Sequence, residues 1–268
     1  MARIALGICY DGSAYHGWQI QEEFRTVQGE VEKALSAVAN HPVSLFCAGR
    51  TDVGVHASGQ VAHFDTTAYR SEHAWVFGAN SKLPSDISIL WAKEVDKNFH
   101  ARFSAQARKY HYVIYNHEIR PGILRKAVSW YYRPLDENRM RKVVQYFIGE
   151  HDFRSFQGAG CQSQTSVRTI FQIEIFRIQC MVVIEVQGNA FLLHMVRNIV
   201  GVLVAIGSGE KDLEWAEVVL NAKDRRQGGL TMSPNGLYLV EVKYPQEFKL
   251  PRTPFEPLWL QLSKVQVK

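Results

Sequence analysis

The chain has 268 residues, of which 46% are hydrophobic and 21% charged, a balance that excludes a disordered chain and predicts two modest folded domains. Lys and Arg outnumber Asp and Glu by 31 to 26, and the resulting charge of +5 favours a polyanionic partner. The apolar runs are short and the four cysteines lie far apart, so we expect no membrane span, no signal peptide and a cytoplasmic protein with reduced, buried thiols.

The first third of the chain predicts the order strand, helix, strand, strand, helix, strand. Alternating apolar residues predict a strand over 3–10. Helical spacing predicts a helix over 27–40, with Thr26 as its N-cap and Pro42 just beyond its end. The remaining elements are strands at 43–48 and 60–65 around a Gly-rich loop, a helix at 72–82 and a strand at 87–95.

The second part of the chain repeats this order of elements. It predicts a strand at 108–116, a helix at 137–149, a hairpin of strands at 167–177 and 181–187, helices at 191–206 and 213–222, and a strand at 237–244. The fold class is therefore α+β, with two ferredoxin-like β-α-β-β-α-β halves whose antiparallel sheets form a cleft. We expect domains at 1–104 and 105–245, followed by an irregular, proline-rich tail at 246–268.

Between two predicted strands lies the segment GRTDVGVH, residues 49–56, which carries the strongest chemical signal. Gly49 and Gly54 allow a tight turn, which can project the short acid Asp52 into a cleft. Arg50 lies two residues before the acid on the same side and favours its ionised form, which suits a nucleophile. Judged on spacing alone, such a segment is more often a surface hairpin turn with an ion pair than a catalytic loop.

The segment at 49–56 continues as ASGQVAHF, and together they resemble the signature of the tRNA pseudouridine synthase A family. Further blocks agree with that family in order and spacing, and the resemblance runs from about residue 3 to 245. These blocks are YDG at 10–12, GWQ at 17–19, FHARF at 99–103, KYHY at 109–112, DFRSF at 152–156, FLLHMVRNIVG at 191–201 and GLYL at 236–239.

The resemblance implies an isomerase that converts uridine to pseudouridine at positions 38–40 in the anticodon stem-loop of tRNA. It implies that Asp52 is the catalytic nucleophile and that Tyr110 contacts the target base and is a candidate proton acceptor. It also implies a homodimer, a basic RNA-binding cleft, and no metal or organic cofactor.

Basic residues supply the other candidate positions. Arg50 is expected to form an ion pair or clamp a phosphate, and Arg197 interrupts an apolar helix, where an unpaired charge is costly, so it must reach a partner or the active site. His194 is expected to be a core or interface residue. The candidate catalytic residues are Asp52, Tyr110, Arg50 and Arg197, and the candidate substrate-binding residues are Tyr110, Arg102, Arg108, Lys109, Arg168 and His56; Lys223, Arg225 and Arg226 are further phosphate candidates.

Two other readings stay open at the level of sequence. A non-enzymatic RNA-binding protein would use similar sheets, but the aromatic signature of RNA-recognition modules is missing and the Asp52 carboxylate would repel phosphate. A nucleoside glycosidase would turn over free uridine. A metal site is not expected, because His56, His63 and Asp65 straddle two strand faces.

Overall fold

A computed structural model describes residues 1–251 and Pro257, which form a mixed α/β fold with mostly antiparallel strands. Among these residues, one compact unit comprises 1–108 and 238–251, and the other comprises 109–237. The predicted domain boundaries stay a prediction. Most of the predicted tail at 246–268 lies outside the described residues, and Gln246–Phe248 within it forms one 3-10 turn.

The described residues contain ten strands and five α-helices. In chain order they are β1 (Ala2–Tyr10), α1 (Val27–Ala39), β2 (Phe46–Cys47), β3 (His56–Thr66), α2 (Glu72–Asn80), β4 (Ile87–Val95), β5 (Ala107–Asn116), β6 (Ser129–Tyr131), α3 (Glu137–Val143), β7 (Gly149–Asp152), β8 (Val167–Ile178), β9 (Met181–Gly188), α4 (Met195–Gly207), α5 (Trp215–Ala222) and β10 (Leu237–Lys243).

In the first unit the strands run in the order β4, β1, β3, and β2 also pairs with β3. All three of these pairings are antiparallel. β10 joins β3 in parallel, with Tyr238 opposite His56 and Leu239 opposite Ala57. This arrangement places the start of β3, which follows the Gly-rich loop, inside the sheet.

In the second unit the strands run in the order β5, β9, β8, β7. The β7–β8 and β8–β9 pairs are antiparallel, and the short β6 runs parallel to β5. β9 is buried along most of its length, so the strand beside β5 is a core strand. Glu185 is the charged residue on that strand.

The helix predicted at 27–40 is confirmed as α1. Its N-cap is Thr26, whose hydroxyl accepts a hydrogen bond from the Gly29 amide, and Asn40 ends it in the left-handed region at φ 58°. The stripe that faces the core consists of Val27, Val31, Ala34, Leu35 and Ala39. The strand predicted at 87–95 is confirmed with the same bounds.

Two predicted helices have wrong bounds. The helix predicted at 137–149 is α-helical only over Glu137–Val143, continues as a 3-10 turn, and gives way to β7, which begins at Gly149 with φ +100°. The helix predicted at 191–206 begins only at Met195, because His194 adopts a left-handed conformation at φ 61°.

The strand predictions around the Gly-rich loop also need correction. The strand predicted at 43–48 is reduced to Phe46–Cys47, whereas the strand predicted at 60–65 begins earlier, at His56. The four cysteines are free thiols but are half-buried rather than buried. None of the helices in the described part of the chain is long and apolar enough to cross a membrane.

Candidate active site

The loop that carries Asp52 is held from behind by the segment 10–18 of the same unit. The Trp18 amide donates to the Thr51 carbonyl at 3.0 Å, and the Gly54 amide donates to the Tyr15 carbonyl at 3.4 Å. The hydroxyls of Tyr10 and Thr51 share a buried hydrogen bond of 2.7 Å. These contacts fix the backbone on both sides of the acid.

Glycines make this close approach possible. A Cβ on Gly12 would lie 1.9 Å from the Val55 carbonyl oxygen, and a Cβ on Gly17 would lie 2.6 Å from that of Thr51. Gly17 and Gly54 also have positive φ, at +80° and +78°, a region that other residues rarely adopt. The loop and the segment behind it therefore pack backbone against backbone.

Asp52 begins a turn that the Val55 amide closes by donating to the Asp52 carbonyl at 3.1 Å. The residue is half-buried, and its neighbours Arg50 and Val53 are exposed. The acid is thus carried on a rigid turn that opens to solvent on one side. The effect of Arg50 on the pKa of Asp52 stays a prediction.

His56 lies behind the loop at the start of β3 and is buried. The Gly12 amide donates to its Nδ1 at 3.2 Å, and its ring stacks on Tyr238 with the centroids 4.7 Å apart. The Asp11 carboxylate lies 3.1 Å from the same nitrogen. His56 thereby ties the glycine segment to the sheet, and its contact with a substrate stays a prediction.

Tyr110 lies on β5 in the second unit and is 8% exposed. The Phe191 and Tyr110 rings form an edge-to-face pair with their centroids 5.1 Å apart. Gly188 provides the room for this contact, because a Cβ there would lie 3.1 Å from the Phe191 ring. The Tyr110 ring is therefore held by Phe191, which lies three residues after the end of β9.

The residues on either side of Tyr110 bind one carboxylate. Lys109 Nζ lies 2.7 Å from Glu185 Oε1, and His111 Nε2 lies 2.8 Å from Glu185 Oε2. Burial raises the pKa of Glu185, but the hydrogen bonds from His111 and Lys109 outweigh it and lower this pKa to about 2. The sequence analysis missed Glu185, although a single charge within the apolar strand MVVIEVQG was a usable signal.

Two arginines of the first unit have different environments. Arg108 is buried and donates to the carbonyls of Arg102 at 2.7 Å, Ala48 at 3.0 Å and Ala105 at 3.3 Å. Arg102 is exposed, and its guanidinium lies over the Phe103 ring at 5.5 Å. This geometry favours a structural role for Arg108 and leaves Arg102 accessible to phosphate, and both substrate contacts stay predictions.

The remaining candidates are dispersed over the second unit. Arg197 Nε donates to the Met232 carbonyl at 2.7 Å, which supplies a partner for a charge on the apolar helix α4. Arg168 is half-buried, and that burial lowers its pKa; it donates to the Val167 carbonyl and the Ser163 hydroxyl. Arg225 donates hydrogen bonds to the side chains of Asn198 and Thr231, and Arg226 forms an ion pair with Asp224. The backbones of Lys223 and of half-buried His194 are left-handed.

The structure therefore groups some candidates and separates others. Arg50, Asp52 and His56 share one loop in the first unit, and Lys109 and Tyr110 are adjacent on β5 in the second. Within residues 1–251, no cluster of three or more His, Cys, Asp or Glu side chains is arranged to hold a metal ion.

Comparison with known proteins identifies similar chains. A family model described as tRNA pseudouridine synthase matches residues 8–104 and 143–245. The protein named tRNA pseudouridine synthase A from Coxiella burnetii is 77% identical over 260 residues, which cover 97% of this chain and 100% of that protein. Its namesake from Shewanella sp. (strain MR-4) is 55% identical over 258 residues, covering 96% of this chain and 99% of that protein.

A solved structure, titled as the archaeal box H/ACA sRNP Nop10-Cbf5 complex, is a distant match. It has a TM-score of 0.37 and 12% sequence identity, and the match covers 88% of this chain and 47% of that one. A likeness at this level carries no argument about the chemistry of the site.

Proposed function

The chain belongs to the tRNA pseudouridine synthase family, and from this premise we propose that it isomerises uridine to pseudouridine in tRNA with Asp52 as its nucleophile. The observation that carries the proposal is the placement of Asp52 on a rigid turn, clamped from behind by Gly12 and Gly17 and open to solvent in front. A short acid held in this way keeps its position when a nucleotide approaches.

The reaction is an isomerisation whose atoms balance within the nucleotide. The target base leaves the stack, at a cost of roughly a few kcal/mol. The bond from N1 to C1′ breaks, the uracil turns, and C5 bonds to C1′; a proton leaves C5, and N1 acquires one. The Asp52 carboxylate attacks the sugar or the base, or helps to remove a ribose proton that is later returned, and all three routes are compatible with the proposal.

We assign the supporting roles to neighbouring groups. Tyr110 contacts the target base and is the candidate acceptor of the C5 proton. Arg50 keeps Asp52 ionised or clamps a phosphate, and Arg197 is a further active-site candidate. Exposed Arg102 lies beside an exposed aromatic ring, which supports its assignment as a phosphate contact.

The finer features of the proposal follow the sequence resemblance. They are modification at positions 38–40 of the anticodon stem-loop, a homodimer, a cytoplasmic location and a basic cleft formed by two ferredoxin-like halves. In the first unit, the strand order β4, β1, β3 with β2 on β3 supports the ferredoxin-like reading. Mapping the modified positions in tRNA and measuring the mass in solution test the first two.

The decisive experiment compares wild-type protein with Asp52→Ala on unmodified tRNA. We expect the variant to bind tRNA but to form pseudouridine at least about a thousandfold more slowly, because the attacking carboxylate is gone. Asp65→Asn is the matched control: it removes another acid of the same unit, one that pairs with Arg3 at 2.8 Å, and should keep the activity.

The result also separates the alternatives. Wild-type protein that binds tRNA without forming pseudouridine would point to a non-enzymatic RNA-binding protein. Turnover of free uridine would point to a nucleoside glycosidase. A fully active Asp52→Ala variant would remove Asp52 from the mechanism.

A further inference from the structure

Strand β9 and the residues directly after it contact Tyr110 and both of its neighbours. Because side chains alternate along a strand, Lys109 and His111 point to one face of β5 and Tyr110 to the other. Glu185, on β9, binds both Lys109 and His111. Phe191, just beyond the end of β9, forms an edge-to-face pair with the Tyr110 ring.

This charge cluster is expensive to bury. His111 is 1% exposed and Glu185 9% exposed. His111 Nδ1 is buried and has no hydrogen-bond partner among the described residues. Buried ion clusters of this kind contribute little net stability, since apolar residues of similar size often serve as well or better. A charged cluster that contributes little net stability calls for an explanation other than stability.

We propose that Glu185 is a positioning residue for Tyr110: by holding the side chains on both sides of the tyrosine, it fixes the register and tilt of β5 and so the direction of the phenol. The inference rests on the proposed function, in which Tyr110 contacts the target base. A carboxylate suits this task because it has two oxygens and accepts one hydrogen bond from each neighbour, so that a shift of β5 in either direction loses one of them.

The chain offers a matched control in the same unit. Arg177 Nε lies 3.0 Å from Glu137 Oε2, and these two side chains are 27% and 23% exposed. This ion pair joins β8 to α3. Arg177 also donates to the Leu135 carbonyl and to the side chain of Asn116, the last residue of β5, and none of these hydrogen bonds reaches Tyr110. Because Asn116 ends β5 six residues beyond Tyr110, Glu137→Gln tests whether any lost ion pair in this unit has the same effect.

The experiment places 3-fluorotyrosine at position 110 and records its ¹⁹F resonance in wild-type, Glu185→Gln and Glu137→Gln proteins. The same three proteins, without the label, are assayed for single-turnover pseudouridine formation and for tRNA affinity, well below their melting temperatures. We expect Glu185→Gln to shift or broaden the resonance and to slow the reaction about 10- to 100-fold, with tRNA affinity unchanged within about twofold. Glu137→Gln should change none of these readouts.

Lys109→Met is the second variant, needed if Glu185→Gln does not fold at the assay temperature. It removes one of the two contacts to Glu185, so it should shift the ¹⁹F resonance and slow pseudouridine formation as Glu185→Gln does, but by less. A fall in tRNA affinity with an unchanged rate constant would instead assign Lys109 to a phosphate and overturn the positioning role.

Each other outcome is also decisive. An unchanged resonance overturns the inference whatever the rate, and a moved resonance with an unchanged rate overturns it as well. Equal effects of Glu137→Gln would reduce Glu185 to a general structural role. If wild-type protein forms no pseudouridine, the proposed function fails, and that failure is distinct because the resonance comparison does not depend on activity.

Discussion

The Asp52 loop and the Tyr110 strand hold their candidate reactive side chains by different physical means. Around Asp52 the contacts are between backbone atoms, with Gly12 and Gly17 packed against the carbonyls of Val55 and Thr51. Around Tyr110 the contacts are between side chains, and the central one is a carboxylate shared by a lysine and a histidine.

The difference implies different sensitivities. A backbone contact without room for a Cβ is controlled by sterics, so it responds to side-chain size and hardly to pH. An ion cluster is controlled by protonation, so it responds to charge and pH. We expect each region to fail under the perturbation that the other tolerates.

Among the changes that test how the two regions are held, the largest effect should come from Gly12→Ala, which adds a methyl group where the Val55 carbonyl oxygen lies 1.9 Å away. The loop must move, at a cost of about 1–3 kcal/mol or more in the free energy of unfolding. Displacement of Asp52 should slow pseudouridine formation by about 100-fold. Denaturant unfolding and single-turnover assays measure the two quantities.

The control for this substitution is Gly122→Ala, because a Cβ at Gly122 has no atom within 4 Å. It should keep wild-type stability and rate. A Gly12→Ala variant that behaves like this control would show that the loop is not held by its backbone contacts.

A change of intermediate size is expected in the folding stability that Glu185 gives to the region around Tyr110 when the pH is lowered. Folding lowers the pKa of Glu185 from its usual 4.5 to about 2, so the folded chain binds fewer protons there than the unfolded chain. The stabilisation that ionised Glu185 provides relative to its protonated form is therefore complete above about pH 4.5 and disappears as the pH falls towards 2. Unfolding of wild-type and Glu185→Gln proteins between pH 6 and 3 should show their stabilities converging, whereas a constant difference would contradict the ionised cluster.

The smallest effect should come from Asp11→Asn in the segment behind the Asp52 loop. The proximity of the His56 ring nitrogen, 3.1 Å away, holds the pKa of Asp11 below its usual range, but the Asp11 side chain is 54% exposed. Exposed pairs contribute about 0–1 kcal/mol, so stability and activity should stay close to wild type. A large loss of either would mean that charge, and not backbone packing, holds this loop.

Much of the local structure was predictable from periodicity and end signals. The helix α1 follows from its apolar stripe, the Thr26 cap and Pro42 just beyond its end, and β4 follows from its apolar pattern. The helix predicted at 137–149 failed because its last turn tightens and ends at Gly149, whose positive φ is not visible in an apolar pattern.

The candidate site was predictable in part. The glycine-flanked segment marked the turn that carries Asp52, but the role of 10–18 in holding it depends on contacts such as that between Tyr10 and Thr51, which lie 41 residues apart. His56 was predicted to contact substrate from its place in the motif, and the structure shows it buried behind the loop.

The sequence by itself determined where most helices and strands lie and that a tight turn carries Asp52, because these features depend on residues close together in the chain. It also determined the family, because the family's motifs follow one another in a fixed order. The tertiary structure alone decided that Gly12 must lack a side chain and that Glu185 joins Lys109 to His111. Those facts arise where distant segments meet, as His111 and Glu185 do across 74 residues, and steric exclusion and charge pairing act through space rather than along the chain.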